Sequence, residues 1–546
     1  MKTIYQVDSL QPDLDEKLQT VKENNLSARI WNQDHTVWHP DPAEISNRLA
    51  WLSLADQYQT TIPRLETFAE EVHQDDYSQI LLLGMGGSSL APEVFSSIFR
   101  KNNSPVLEIL DSTHPVEVAH WEEEFNPLTT LYIVATKSGT TVETLSLFKY
   151  FYQQVEDTLG SNLAGKHFIG ITDPGSQLVE LAEQAGFREV FLNEPEVGGR
   201  YSALSYFGLV PAALLGMDLY KLLGNAQNMS GFSRKKNSSA ENPAVYLGCV
   251  LAAAAGRGRD KLTLTASESI QSFPNWIEQL LAESTGKDGQ GILPVLEPEL
   301  DRPGIYGSDR IFVDLSLTAE RDRDDRLVAL EKAGFPVVRI ELDTPYQLGG
   351  QFFLWEFATA VAGALMGIHP FNQPNVESAK VRAREMVAEF QSSGTLPSRE
   401  AHPPDAELLD EFIHSHKQPG SYLALQAFLP QRAPLEEALI SLQRDLQREY
   451  QLPVTVGFGP RYLHSTGQLH KGGSDRGLFI QLRDEAQIDL PIPHQLGSSQ
   501  TSLSFGTLIT AQALGDAAAL ENRGRPVIQF QLGEKPQQWI SSLAKT

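Results

Sequence analysis

A single cysteine, Cys249, stands in 546 residues, so no disulfide framework is possible. A chain of this length can bury large cores without such staples, and low cysteine usage suits a reducing compartment. The cysteine lies in the apolar run AVYLGCVLAAAA, where its expected role is that of a small buried hydrophobe. That run stops at GRGRD, and no uninterrupted apolar stretch is long enough to span a bilayer. The opening MKTIYQVDSLQPDLDEK is polar and acidic, without the apolar segment of a signal peptide. Basic residues are also outnumbered: 44 Lys and Arg face 69 Asp and Glu, a formal charge of −25. Such a field disfavours nucleic acid and anionic membranes as partners. It leaves room for a small anion, which a local group of backbone N–H donors can hold. These absences point to a cytoplasmic protein whose partners are small molecules.

What is present is a repeated strand–helix pattern. Residues 1–75 read as a helical segment; RLAWLSLADQYQTTIPRLETFAEEVHQ has apolar spacing near 3.6, broken at Pro63. QILLLGMGG, VLEILDS, LYIVATKSG, FIGITD and EVFLN are short apolar runs between helical stretches, the pattern of strands buried on both faces. After a helix-rich middle the pattern returns in KLTLTAS, GILPVLE, IFVDLS and FPVVRIEL. The expected class is α/β, with two tandem parallel-sheet domains over 76–230 and 231–390. Residues 391–420 are polar and proline-bearing and read as a linker. Beyond them, 421–546 carries YLALQAFL, PVTVGFGP, GLFIQL and PVIQFQL with intervening helices, a smaller C-terminal α/β unit.

Two strand-to-helix junctions carry ligand-type groups. GMGGSSLAP allows close backbone approach and adds Ser88 and Ser89 at the start of a helix. It fits neither G-x-G-x-x-G nor the P-loop, which sets aside dinucleotides and nucleoside triphosphates. ATKSGTTVET places Thr136, Ser138, Thr140 and Thr141 within six residues, beside Lys137. A capping box between Thr140 and Glu143 explains one or two of those hydroxyls. A phosphate cradle explains the set better, and both loops should open at the carboxyl edge of one sheet. Three further stretches hold potential reacting groups: Arg200 in VGGRYSALS, Glu283 in NWIEQLLAESTGKDGQG and Lys380 in PFNQPNVESAKVRARE. Each alone reads as a surface side chain. No metal-ligand cluster stands out.

Taken together and in order, GMGGSSLAP, ATKSGTTVET, GGRYS, ESTGK and PFNQPNVESAK resemble the phosphoglucose isomerase family over roughly residues 80–390. LAESTGKDGQGILPV and RYLHSTGQLHKGG look most like the isomerase half of bifunctional transaldolase–phosphoglucose isomerase proteins, with the transaldolase half absent here. The resemblance implies two sugar-isomerase (SIS) domains and an aldose–ketose isomerase of the EC 5.3.1.9 type, interconverting glucose 6-phosphate and fructose 6-phosphate. It implies no cofactor, no metal and a homodimer. By motif, Gly87, Ser88, Thr136, Lys137, Ser138 and Thr141 would bind the substrate phosphate. Glu283 would be the base, Arg200 the cation beside a cis-enediolate, and Lys380 the lysine near the ring oxygen.

One departure concerns ring opening. Where the family has a histidine after Gly or Gln, this chain reads YQLGGQFFLWEF, and His369 in GIHPFNQP stands where asparagine is usual. GPRYLHSTGQLHKGG offers His464, His470 and Lys471 as replacements for ring opening or phosphate contact. Other readings consistent with the resemblance are an isomerase of mannose 6-phosphate or an amino-sugar phosphate, and a non-catalytic SIS-domain phosphosugar sensor.

Overall fold

The computed structural model describes residues 1–100, 104–235, 241–320, 325–397, 399–498 and 500–544. The chain forms two compact units that do not follow chain order. The first comprises Met1–Ser78, Leu90–Leu107 and Leu192–Gln373; the second comprises Gln79–Ser89, Glu108–Phe191 and Pro374–Thr546. In chain order the strands begin with β1 (Lys2–Gln6), β2 (Gln79–Gly84), β3 (Val106–Leu110), β4 (Thr130–Ala135), β5 (Phe168–Thr172) and β6 (Glu189–Leu192). Next come β7 (Lys261–Ala266), β8 (Leu293–Leu296), β9 (Arg310–Leu317) and β10 (Val337–Leu342). The C-terminal set is β11 (Tyr422–Phe428), β12 (Val454–Phe458), β13 (Gly477–Asp484), β14 (Pro491–Pro493), β15 (Thr501–Ser504) and β16 (Val527–Leu532).

The first unit holds a sheet of order β1-β10-β9-β7-β8. Strands β7 to β10 pair in parallel, and their apolar runs are buried along most of their length. Unbroken apolar strings belong in such sheets because both faces are covered. Strand β1 runs antiparallel along β10, from Lys2↔Glu341 to Gln6↔Val337. The helical pattern of the first 75 residues does not announce it, since five residues pairing with a distant strand leave too short a period to read. Cys249 is buried in the helix Pro243–Gly256, where burial pushes its thiol up to about 12. It is a packing residue and inert at neutral pH.

The second unit contains, apart from end residues of β3 and β6, a sheet of order β3-β2-β4-β5-β6, in which β2, β4 and β5 pair in parallel. It also contains the C-terminal sheet, order β12-β11-β13-β16, parallel throughout. The antiparallel ribbon β14–β15 leads into the helix Phe505–Glu521. Ile492, Phe505 and Leu508 from this region share one core with Leu81, Val134 and Phe168 of the β3-β2-β4-β5-β6 sheet and with Phe148 of the helix Val142–Leu159. The C-terminal residues are thus fused to that sheet by a common hydrophobic core. Residues 391–420, expected as a linker, include the helix Ala406–His416, capped by Asp405, whose Leu409 and Ile413 enter the core of the C-terminal sheet. No helix among the described residues is long and apolar enough to cross a membrane.

Candidate active site

Arg200 and Glu283 meet inside the first unit. Arg200 lies in a short 3-10 turn, Gly199–Tyr201, pinned where Ser202 Oγ donates to the Gly199 carbonyl at 2.6 Å. Glu283 lies near the end of the helix Phe273–Thr285, a thirteen-residue helix whose apolar face is buried. The guanidinium spends every nitrogen on a fixed partner. Nε donates to Ser284 Oγ at 2.7 Å, and Nη1 donates to Glu283 Oε1 at 3.0 Å. Nη2 donates to the carbonyls of Pro370 at 2.6 Å and Asn372 at 3.2 Å. Gln279, one turn earlier on the same helix, donates to Glu283 Oε2 at 3.1 Å. Both charged side chains are buried, at 2% and 5% exposure. Removing an ion pair from water costs several kcal/mol per ion unless hydrogen bonds compensate, and here they do. The Tyr201 ring centroid lies 5.7 Å from the Arg200 guanidinium carbon, and that ring packs in turn on Trp51 and Phe371. This is a carboxylate held rigidly beside a guanidinium, with little water to screen either.

The hydroxyl loops belong to the second unit. Strand β2 ends at Gly84, and a 3-10 turn over Gly86–Ser88 precedes the helix Leu90–Ile98. The backbone N–H groups of Ser88 and Ser89 turn back onto Met85 and Gly86. Gly87 is half-buried, Ser88 is buried, and Ser89 Oγ donates to Asp111 Oδ2 at 3.1 Å. The second loop leaves β4, and Thr136 Oγ1 and Thr141 Oγ1 close it at 2.9 Å. Ser138 Oγ lies 2.9 Å from Thr140 Oγ1, and Lys137 Nζ donates to Asp173. Gly139 has φ +69°, and a Cβ there would stand 2.7 Å from the backbone nitrogen of Leu178. Only glycine lets the loop lie on that helix start. The cap of the helix Val142–Leu159 falls on Thr141, not Thr140, and Glu143 turns elsewhere.

Glu143 is buried and receives Gln512 Nε2 at 2.7 Å and His464 Nε2 at 2.9 Å. A carboxylate accepts only, so Nε2 of His464 carries the hydrogen. The turn Arg461–His464 packs against the turn Gly86–Ser88, and Arg461 Nη1 lies 3.3 Å from Asp111 Oδ2. The structure therefore brings His464 to the cradle's helix. His470 and Lys471 stand apart from those contacts. His470 is buried against Tyr422, whose hydroxyl lies 3.0 Å from Nδ1, and Lys471 forms a buried ion pair with Asp516. Lys380 lies in the helix Val376–Ser393, and its side chain is outside the described residues. Two participants escaped the sequence reading. Asp111 follows β3 in the string ILDST, and Glu143 looked like a cap; Arg461 meets the first, and His464 and Gln512 meet the second, from the chain's far end.

Comparison with known proteins finds a family similar over part of the chain. A model described as phosphoglucose isomerase matches residues 62–291. The glucose-6-phosphate isomerase of Cyanothece sp. is 29% identical over 402 residues, covering 63% of this chain and 74% of that protein. That of Staphylococcus aureus is 28% identical over 426 residues, covering 68% and 94%. Among solved structures, a hypothetical protein from Thermus thermophilus superposes with a TM-score of 0.62 at 24% identity, covering 71% of this chain and 100% of that one. A glucose-6-phosphate isomerase from Chlamydia trachomatis gives 0.60 at 18% identity, covering 74% and 89%. At those identities the two structures speak for the fold, which is the α/β class with parallel sheets expected from the strand pattern. The matched segment runs from before the glycine turn to just past the Glu283 helix, and over that segment the chain is similar to the phosphoglucose isomerase family.

Proposed function

We propose that this protein is an aldose–ketose isomerase that interconverts glucose 6-phosphate and fructose 6-phosphate in the cytoplasm, as a homodimer. The observation that carries the reading is the buried Arg200–Glu283 pair. Moving the carbonyl between C1 and C2 requires removing a weakly acidic proton α to a carbonyl. Glu283 takes that proton from C2 and returns it to C1, a one-base transfer suited to a carboxylate on a fixed helix. The cis-enediolate formed between the two steps carries negative charge. Arg200, already oriented by Ser284, Pro370 and Asn372, stabilises that charge without reorganising.

The hydroxyls of Ser88, Thr136, Ser138 and Thr141, with Gly87 and Lys137 beside them, hold the phosphate, with helix N-termini favouring its charge. Ring opening moves one proton onto the ring oxygen and takes one from the C1 or C2 hydroxyl. His464 suits this work: with Nε2–H given to Glu143, it exchanges protons through Nδ1. Lys380 is assigned to the ring oxygen by family motif.

A coupled assay of the purified chain with fructose 6-phosphate tests the proposal, run beside Glu283→Gln. Turnover is expected in the wild type and loss of turnover in the variant, with binding of the sugar phosphate retained. Activity unaffected by Glu283→Gln would overturn the assignment of the base. Binding without turnover in the wild type would favour the sensor reading.

A further inference from the structure

Lys287 stands four residues beyond Glu283 and has no part in the chemistry above. Its side chain is 2% exposed. Its backbone is held by a tight turn: its N–H meets the carbonyls of Thr285 and Gln290, and the Gln290 N–H returns to the Lys287 carbonyl. Thr285 Oγ1 accepts the Ile292 N–H at 2.9 Å, and a Cβ on Gly291 would stand 2.9 Å from Gly286 Cα. From this fixed base Nζ reaches the His369 carbonyl at 2.5 Å. Arg200 holds further carbonyls in the same stretch, those of Pro370 and Asn372. Two buried basic side chains therefore grip residues 369–372 by neighbouring carbonyls.

The charges around Lys287 are few. Burial and the Arg200 charge hold its ammonium well below the usual lysine range, against the pull of Glu283, Asp288 and Glu44. His369 is neutral at physiological pH, pushed down to about 4 by burial, with Nδ1 accepting the Phe371 N–H. Buried ions are weak sources of stability, and apolar residues of similar size often serve the fold equally well. A lysine buried against the 369–372 strap needs another reason.

We propose that Lys287 is a positioning residue for the proton transfer: by holding the His369 carbonyl it fixes the 369–372 strap, and the strap fixes Arg200 against Glu283. The inference rests on the isomerase reading for its kinetic consequence, and on geometry alone for the clasp. Lys287→Met is expected to lower kcat for fructose 6-phosphate about 100-fold, the scale of a small misplacement of a catalytic group. KM should change little, because the phosphate is held by other residues. Lys287→Arg, which keeps a long-armed N–H donor, should recover most of the loss. Amide hydrogen exchange across residues 368–373 should quicken at least about 10-fold in Lys287→Met. Unchanged exchange in that segment, or an unchanged kcat, would overturn the proposal. If the wild type itself fails to turn over fructose 6-phosphate, the isomerase reading falls, and the exchange measurement still decides the clasp. Should Lys287→Met not fold, Lys287→Gln keeps a donor on a shorter arm and carries the same readouts.

Discussion

Arg200 shows why residue type matters more than charge at this site. Its planar fork points three nitrogens at Ser284, Glu283 and the strap carbonyls at once, which an ammonium on a flexible stem cannot do. Arg200→Lys should therefore lower kcat by about 10²–10³-fold, the loss typical of removing one pre-organised donor. Steady-state kinetics on fructose 6-phosphate check this, and a change confined to KM would contradict it. His470 illustrates a residue whose work is in the fold. Burial, with help from the Lys471 and Arg525 charges, pushes its imidazole down to about 3. In the unfolded chain it titrates near about 6.5, so between the two values the unfolded state binds more protons. Its contribution to stability is complete above the unfolded value and is lost progressively as pH falls toward the folded one. His470→Phe should flatten the acid side of the stability–pH curve, measured by urea unfolding across that window.

At the scale of elements, function depends on loops whose backbone is forced. Gly139→Ala puts a Cβ into the backbone of the helix Gln177–Ala185 at a left-handed φ, so the loop must shift. Binding of the sugar phosphate should weaken, seen as a raised KM with the Glu283 step itself little altered. The contact between the turn Arg461–His464 and the start of the helix Val142–Leu159 makes a different prediction. If His464 and Glu143 act as one unit, the losses from His464→Gln and Glu143→Gln will not add in the double variant. Strict additivity would detach Glu143 from ring opening. The element that resisted sequence reading at this scale is the helix Ala406–His416: prolines and glycines around it suggest a linker, while its own cap and two apolar residues commit it to a core.

On the scale of the whole molecule, the C-terminal segment shares a core with the β3-β2-β4-β5-β6 sheet. Ile492, Phe505 and Leu508 complete a core begun by Leu81 and Val134, and Gln512 and His464 both close on Glu143. Removing residues 421–546 should expose that core, each large apolar side chain contributing about 1.5–3 kcal/mol when buried. The truncated chain is expected to be insoluble or inactive, as expression and the coupled assay will show. A soluble, fully active truncation would separate the C-terminal residues from the site. Light scattering of the full chain tests the proposed homodimer.

Much was determined by sequence alone, wherever the cause is local. Apolar strings of strand length specify buried parallel strands, and the glycine and hydroxyl clusters at their ends specify where a ligand's charge can be met. The order of five motifs then narrows the chemistry to a family. Only the tertiary structure decided which groups face one another, because those partners lie far apart along the chain. Arg200 and Glu283 are separated by 83 positions, and Glu143 and His464 by 321. It also divided RYLHSTGQLHKGG, turning His464 toward Glu143 and burying His470 against Tyr422 and Lys471 against Asp516. Neighbouring residues of one motif carry no local signal for burial of that kind. It follows from which distant side chains the turn and the helix after it meet.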